Sequence, residues 1–139
     1  MIPLQLPDHP NQTASPIPAP KEILSVGGVD FLPGSPGIVL VPAEQTKVSC
    51  FLATKIVHVL GSVGPKAEEG HVKIRLQYAV GEFEEHDWRA GVGISAGETH
   101  ELLRLLTITP RRSGVFQSVS FENVAKTNAW VLGVVVEPR

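Results

Sequence analysis

Apolar and polar residues alternate most cleanly between His71 and Val80. Val72, Ile74, Leu76, Tyr78 and Val80 stand out of phase with His71, Lys73, Arg75, Gln77 and Ala79. A period of two over this length predicts a strand with one face in water. Val115 to Val124 predicts the same, with Val119 and Phe121 inward and Ser118, Ser120 and Glu122 outward. Lys47 to Leu60 differs, because both phases are apolar. Val48, Cys50, Leu52, Ile56 and Leu60 fall on one face, and Phe51, Ala53, Val57 and Val59 on the other. A strand covered on both faces, or two strands joined by a bend, satisfies this pattern; a helix is the alternative. Trp130 to Glu137 predicts a central strand, with Trp130, Leu132, Val134 and Val136 opposed to Val131, Gly133 and Val135. Thr99 to Thr109 reads two ways. Its leucines suit a helix face, whereas Thr107, Ile108 and Thr109 before Pro110 favour a strand.

Shorter apolar runs at Ile23–Val26, Val29–Leu32 and Ile38–Val41 are cut by Gly27-Gly28, by Pro33 to Gly37 and by Pro42. They predict strand fragments at an edge, where proline is tolerated. Glu82 to Trp88 is acidic and reads as a solvated loop with its aromatics tucked inward; Phe83 to Arg89 has room for a short strand. Short strands separated by turn clusters, without alternating helices, predict an all-β chain. The expected fold is an antiparallel β-sandwich of jelly-roll type. An immunoglobulin-like sandwich would want two cysteines, and the chain has one, Cys50.

Proline placement divides the chain. Of 12 prolines, six precede residue 21: Pro3, Pro7, Pro10, Pro16, Pro18 and Pro20. Each fixes φ, removes a donor and biases its predecessor toward extended geometry. Residues 1–22 therefore read as an extended N-terminal arm, 23–45 as linking strands and loops, and 46–139 as the sandwich body. The arm carries apolar residues at Ile2, Leu4, Leu6 and Ile17, and reads either as a loose terminal tail or as an arm that lies on a partner.

Charge and chemistry narrow the function. The 139 residues carry a formal net charge of -2, which argues against a nucleic-acid partner. No apolar run is long enough for a membrane span, and Met1 to Pro7 has neither the basic leader nor the apolar stretch of a signal peptide. The tripeptide Asn11-Gln12-Thr13 is read as a chance match to a glycosylation site. His9, His58, His71, His86 and His100 make no His-x-His, and there is no cysteine pair, so neither a metal nor another cofactor is expected. His58 falls on a mostly apolar stretch and is expected to be packed or at an edge. Gly93 to Gly97 fits Gly-x-Ser-x-Gly, a motif that acts only between a parallel strand and a helix. Arg111-Arg112 after Pro110 reads as a solvated turn. The expectation is a protein that is not an enzyme. A metal-dependent enzyme using His58, His71, His86 or His100 is a minor alternative.

The arm Met1–Pro20, the linking strands to Pro42 and the sandwich from Thr46 to Pro138 together resemble the small capsid decoration (cement) proteins of tailed bacteriophages. The likeness is of architecture across the whole chain, with no diagnostic motif. It implies a structural virion protein on the capsid surface, assembled in the host cytoplasm. It implies a homotrimer that binds the major capsid protein and reaches neighbouring copies through the arm, with Ile2, Leu4, Leu6 and Ile17 as arm anchors and Trp88 or Trp130 at the subunit contact. A neck or tail component and a carbohydrate-binding sandwich module are the alternatives.

Overall fold

The computed structural model describes residues 2–6, 24–31, 38–63, 71–89, 92–95, 103–112 and 114–139. Every regular element among them is a strand, and every ladder is antiparallel. Eleven strands are described: β1 (Ile2–Pro3), β2 (Leu24–Val26), β3 (Val29–Phe31), β4 (Ile38–Leu40), β5 (Gln45–Ser62), β6 (His71–Tyr78), β7 (Phe83–Arg89), β8 (Ile94–Ser95), β9 (Arg104–Ile108), β10 (Val115–Asn123) and β11 (Ala129–Pro138).

The 18-residue β5 organises the sandwich. Its first half, from Gln45 to Ala53, pairs with β10 and builds one layer in the order β5-β10-β6-β7. Its second half, from Thr54 to Ser62, pairs with β11 on one side and β9 on the other. The second layer runs β8-β9-β5-β11, with β1 and β4 end to end along the outer edge of β11. The main core joins the layers: Val48, Val72, Ile74, Leu76, Val119 and Phe121 from the first meet Val57, Val59, Val131, Val134 and Val136 from the second.

The strand crosses between layers at a bulge. Phe51 has a left-handed φ of 52° and is 66% exposed. The ladder partners of Phe116 and Ser118 on β5 are Leu52 and Ser49, so β5 carries one extra residue there. Cys50 and Leu52 keep one phase through this bulge, both packed on the main core. The inside–outside phase inverts further on, where Glu137 and Pro138 of β11 pair with Ile56 and Thr54 and β5 again carries one extra residue. Val48 and Cys50 therefore share the core with Val57 and Val59, not with Ile56 and Leu60. The helix alternative for Lys47 to Leu60 is excluded, and the bend within a strand is what forms. β11 has a similar shift between Val131 and Gly133. It turns Leu132 outward with Val135, away from Val134 and Val136.

The outward face of the second layer is covered as well. The β2–β3 hairpin lays Val26, Val29 and Phe31 on Leu60, Leu103, Leu105, Leu132 and Val135. Gly133 makes this possible, because a Cβ there would stand 2.8 Å from the Phe31 ring. The expectation of a doubly covered β11 holds for that reason. Arg104–Ile108 resolves the leucine-rich run as strand over those residues, while positions 99–102 lie outside the described ones. Phe83–Arg89 is a full edge strand, not a solvated acidic loop. Its alternation turns Glu84 and Trp88 inward and leaves Phe83 52% exposed, so one of the two expected inward aromatics points to solvent.

Candidate functional site

Three of the four arm residues singled out in the sequence are described, and they sit on the chain's own body. Ile2 pairs with Val136 and Pro3 with Val135. The Leu4 N–H donates to the Val134 carbonyl at 2.8 Å. Leu4 and Leu6 are half-buried against the main core, and Ile2 is 39% exposed. Pro3 suits an edge strand because its missing N–H removes only one bond from the ladder. Ile17 lies outside the described residues.

The two tryptophans part company. Trp88 is 1% exposed, reaches from β7 toward Gly61 of β5, and its indole N–H donates to the Val92 carbonyl at 3.1 Å. An indole committed to its own core offers no face to a second subunit, so Trp88 is a core residue. Trp130 is half-buried on β11, and its indole nitrogen has no partner among the described residues.

Two polar clusters, each built around a buried side chain, went unseen in the sequence. In the first, Glu84 on β7 is 7% exposed. It accepts from the Tyr78 hydroxyl and, at 3.0 Å, from the Arg111 backbone N–H. Its other oxygen is 2.7 Å from His86 Nε2. The Arg112 N–H reaches the Tyr78 oxygen at 3.3 Å, and the Arg112 side chain pairs with Glu82. The Arg111-Arg112 turn is thus docked on β6 and β7. Burial pushes the Glu84 carboxyl up, but the bonds from Tyr78, His86 and Arg111 outweigh it and leave it below its ordinary value. Burial, with Glu84 beside it, pushes the Tyr78 hydroxyl up. With its oxygens engaged by three donors, Glu84 is a clamp on the turn.

The second cluster runs across three strands of the second layer. His58 Nδ1 is 3.0 Å from Thr107 Oγ1 on β9, and Nε2 is 2.8 Å from Glu137 Oε2 on β11. His58 is 6% exposed, as its apolar setting in the sequence suggested. With Glu137 ionised, Nε2–H donates to it and Nδ1 accepts from the Thr107 hydroxyl, which satisfies every group in the line. Hydroxyl, imidazole and carboxylate in series are the parts of an activated nucleophile. Here they also join β9, β5 and β11 on the outward face.

On the outward face of the first layer, His71 contacts Asp87 at 2.7 Å and Arg75 contacts Glu85 at 2.6 Å. The His71 bond, with burial opposing it slightly, holds the Asp87 carboxyl below its usual range. Arg75 lies 4.2 Å over the Phe83 ring. Ser95 of the Gly-x-Ser-x-Gly match lies in β8, which is antiparallel to β9, whereas the motif needs a parallel strand. Among the described residues no group of three His, Cys, Asp or Glu side chains is placed to hold a metal ion. No protein-family model and no curated protein matches the chain.

Proposed function

We propose that this chain is a structural virion protein that decorates a capsid, binding the major capsid protein lattice as a homotrimer and stabilising the head. The observation that carries the reading is the seating of Ile2–Leu6 on the edge of β11, joined to the rest of the fold by a proline-rich stretch. A strand held at a sheet edge by few bonds is suited to adding buried area between neighbours. The compact two-layer core gives such a strand a rigid platform. The reading is tested by mixing the full chain with undecorated capsids of the virus that encodes it. Saturable co-sedimentation is expected, weakened at least tenfold by Leu4→Asp with Leu6→Asp. Equal binding by that variant removes the arm from the function, and no binding by the full chain removes the decoration role.

A carbohydrate-binding module is the second reading. Phe51 and Phe83, 66% and 52% exposed at the rim of the first layer, are the observation that favours it. A glycan array without hits removes it.

A further inference from the structure

We propose that the Ile2–Leu6 segment is exchanged between copies of this chain, so that in the assembled state β11 of each copy carries the β1 of a neighbour. The inference rests on the decoration reading only for the setting that brings copies side by side.

The edge of β11 holds two strands of unlike attachment. β4 pairs along Ala129 to Val131, its three residues are at most 1% exposed, and Asn123 donates to its Leu40 carbonyl at 2.7 Å. That strand is fixed. β1 pairs through Ile2 and Pro3, adds the Leu4 bond to Val134, and seats Leu4 and Leu6 only half-buried. Proline at the second ladder position contributes no N–H to be broken on release.

The connection allows the segment to leave. Seventeen residues, 7–23, separate Leu6 from Leu24, and five of them are proline. Extended, that stretch spans about 60 Å. The β2–β3 hairpin at its far end lies on the face of the layer that contains β11, about 10 Å away by ordinary layer spacing. The tether is several-fold longer than return to its own body requires, so a neighbouring body is within reach.

Fit names the occupant. The seat is filled in this chain by its own Ile2–Leu6, and the same segment of a second copy matches it in register and in side chains. Exchanged and unexchanged forms then make identical contacts, and concentration decides between them. A strand tied to its own body by a linker of this length competes at an effective concentration of about 1 mM. A dilute chain keeps its own β1; copies crowded on a lattice exchange theirs.

The test needs no capsid, so its failure and the failure of the decoration reading are distinguishable. Cys50 is first replaced by alanine in every variant. Pro3→Cys and Val135→Cys face each other across the ladder, at a separation a disulfide spans. The double variant should close its disulfide within one chain. The two single variants are mixed at about 1 mM and at a hundredfold dilution, then oxidised. The mixed dimer should form at the higher concentration and drop at least tenfold on dilution. It should also exceed tenfold the yield of Pro3→Cys with Lys55→Cys, an exposed site away from the seat. Absence of the mixed dimer at the higher concentration, or equal yields with Lys55→Cys, overturns the proposal. Failure of the double variant to close overturns it too, because the seat itself would then be absent.

Discussion

At the scale of single residues, the acidic run between Glu82 and Asp87 shows how one inward turn changes a side chain's chemistry. Read by composition, all of these carboxylates belong in water. The alternation of β7 sends Glu84 into the protein, where Tyr78, His86 and the Arg111 amide hold it ionised. Its carboxyl titrates lower in the folded chain than in the unfolded one. The stability it contributes is therefore present above the unfolded carboxylate value, near pH 4.3, and is lost as pH falls through the folded value. Glu84→Gln should cost about 1–3 kcal/mol at pH 7, in keeping with the loss of bonds to a charged acceptor. It should also flatten the decline in stability below pH 4.5. Urea titrations of both proteins at several pH values would show this, and an unchanged acid limb in the variant would move its origin to another group. Phe51 poses the opposite case, an exposed ring on a strained backbone. A left-handed φ costs an ordinary residue about 1–2 kcal/mol and asparagine less. Phe51→Asn should add about 0.5–1 kcal/mol of stability, read as a higher denaturation midpoint at unchanged slope. A lowered midpoint would mean that the ring itself holds the bulge.

At the scale of elements, legibility followed the number of wet faces. β6 shows water one face, so its alternation named Ile74 and Leu76 directly; in β10 Val119 and Phe121 are inward as read, but Ser118 and Ser120, expected outward, are buried. β5 and β11 are covered on both faces, which erases the polar half of the signal. Their phase reversals lie near Lys55 in β5, which no glycine or proline marks, and at Leu132 in β11, where Gly133 alone stands beside the shift. The His58 line stayed hidden because its partners lie 49 and 79 residues away. The seating of the hairpin on β11 was equally invisible, and it hangs on one absent side chain. Gly133→Ala places a methyl against the Phe31 ring. It should cost about 1–3 kcal/mol, the ordinary range for overpacking. Phe31→Leu on its own should destabilise through the space it leaves. The two changes together should cost less than their sum, since the smaller side chain admits the methyl. Strict additivity in a double-mutant cycle would show that the ring and the glycine do not meet.

At the scale of the molecule, the order of strands in space departs from their order in the chain. β11 is the last strand described, yet it lies inside its layer, with β5 on one side and β1 and β4 on the other. Its partners at Ile2 and Val136 are separated by nearly the whole sequence. On a ribosome, the first layer has all its strands once β10 has emerged. The second layer still has a gap at its centre, and Val57, Val59 and the inner residues of β4 wait without their neighbour. Pairings this distant in sequence close late and slowly. For that interval the nascent chain shows two unpaired edges of apolar strand, the state in which β-proteins associate wrongly. The arrival of β11 fills the gap, fixes β4 and opens the seat for β1 in one event, so the sandwich is completed from its middle outward.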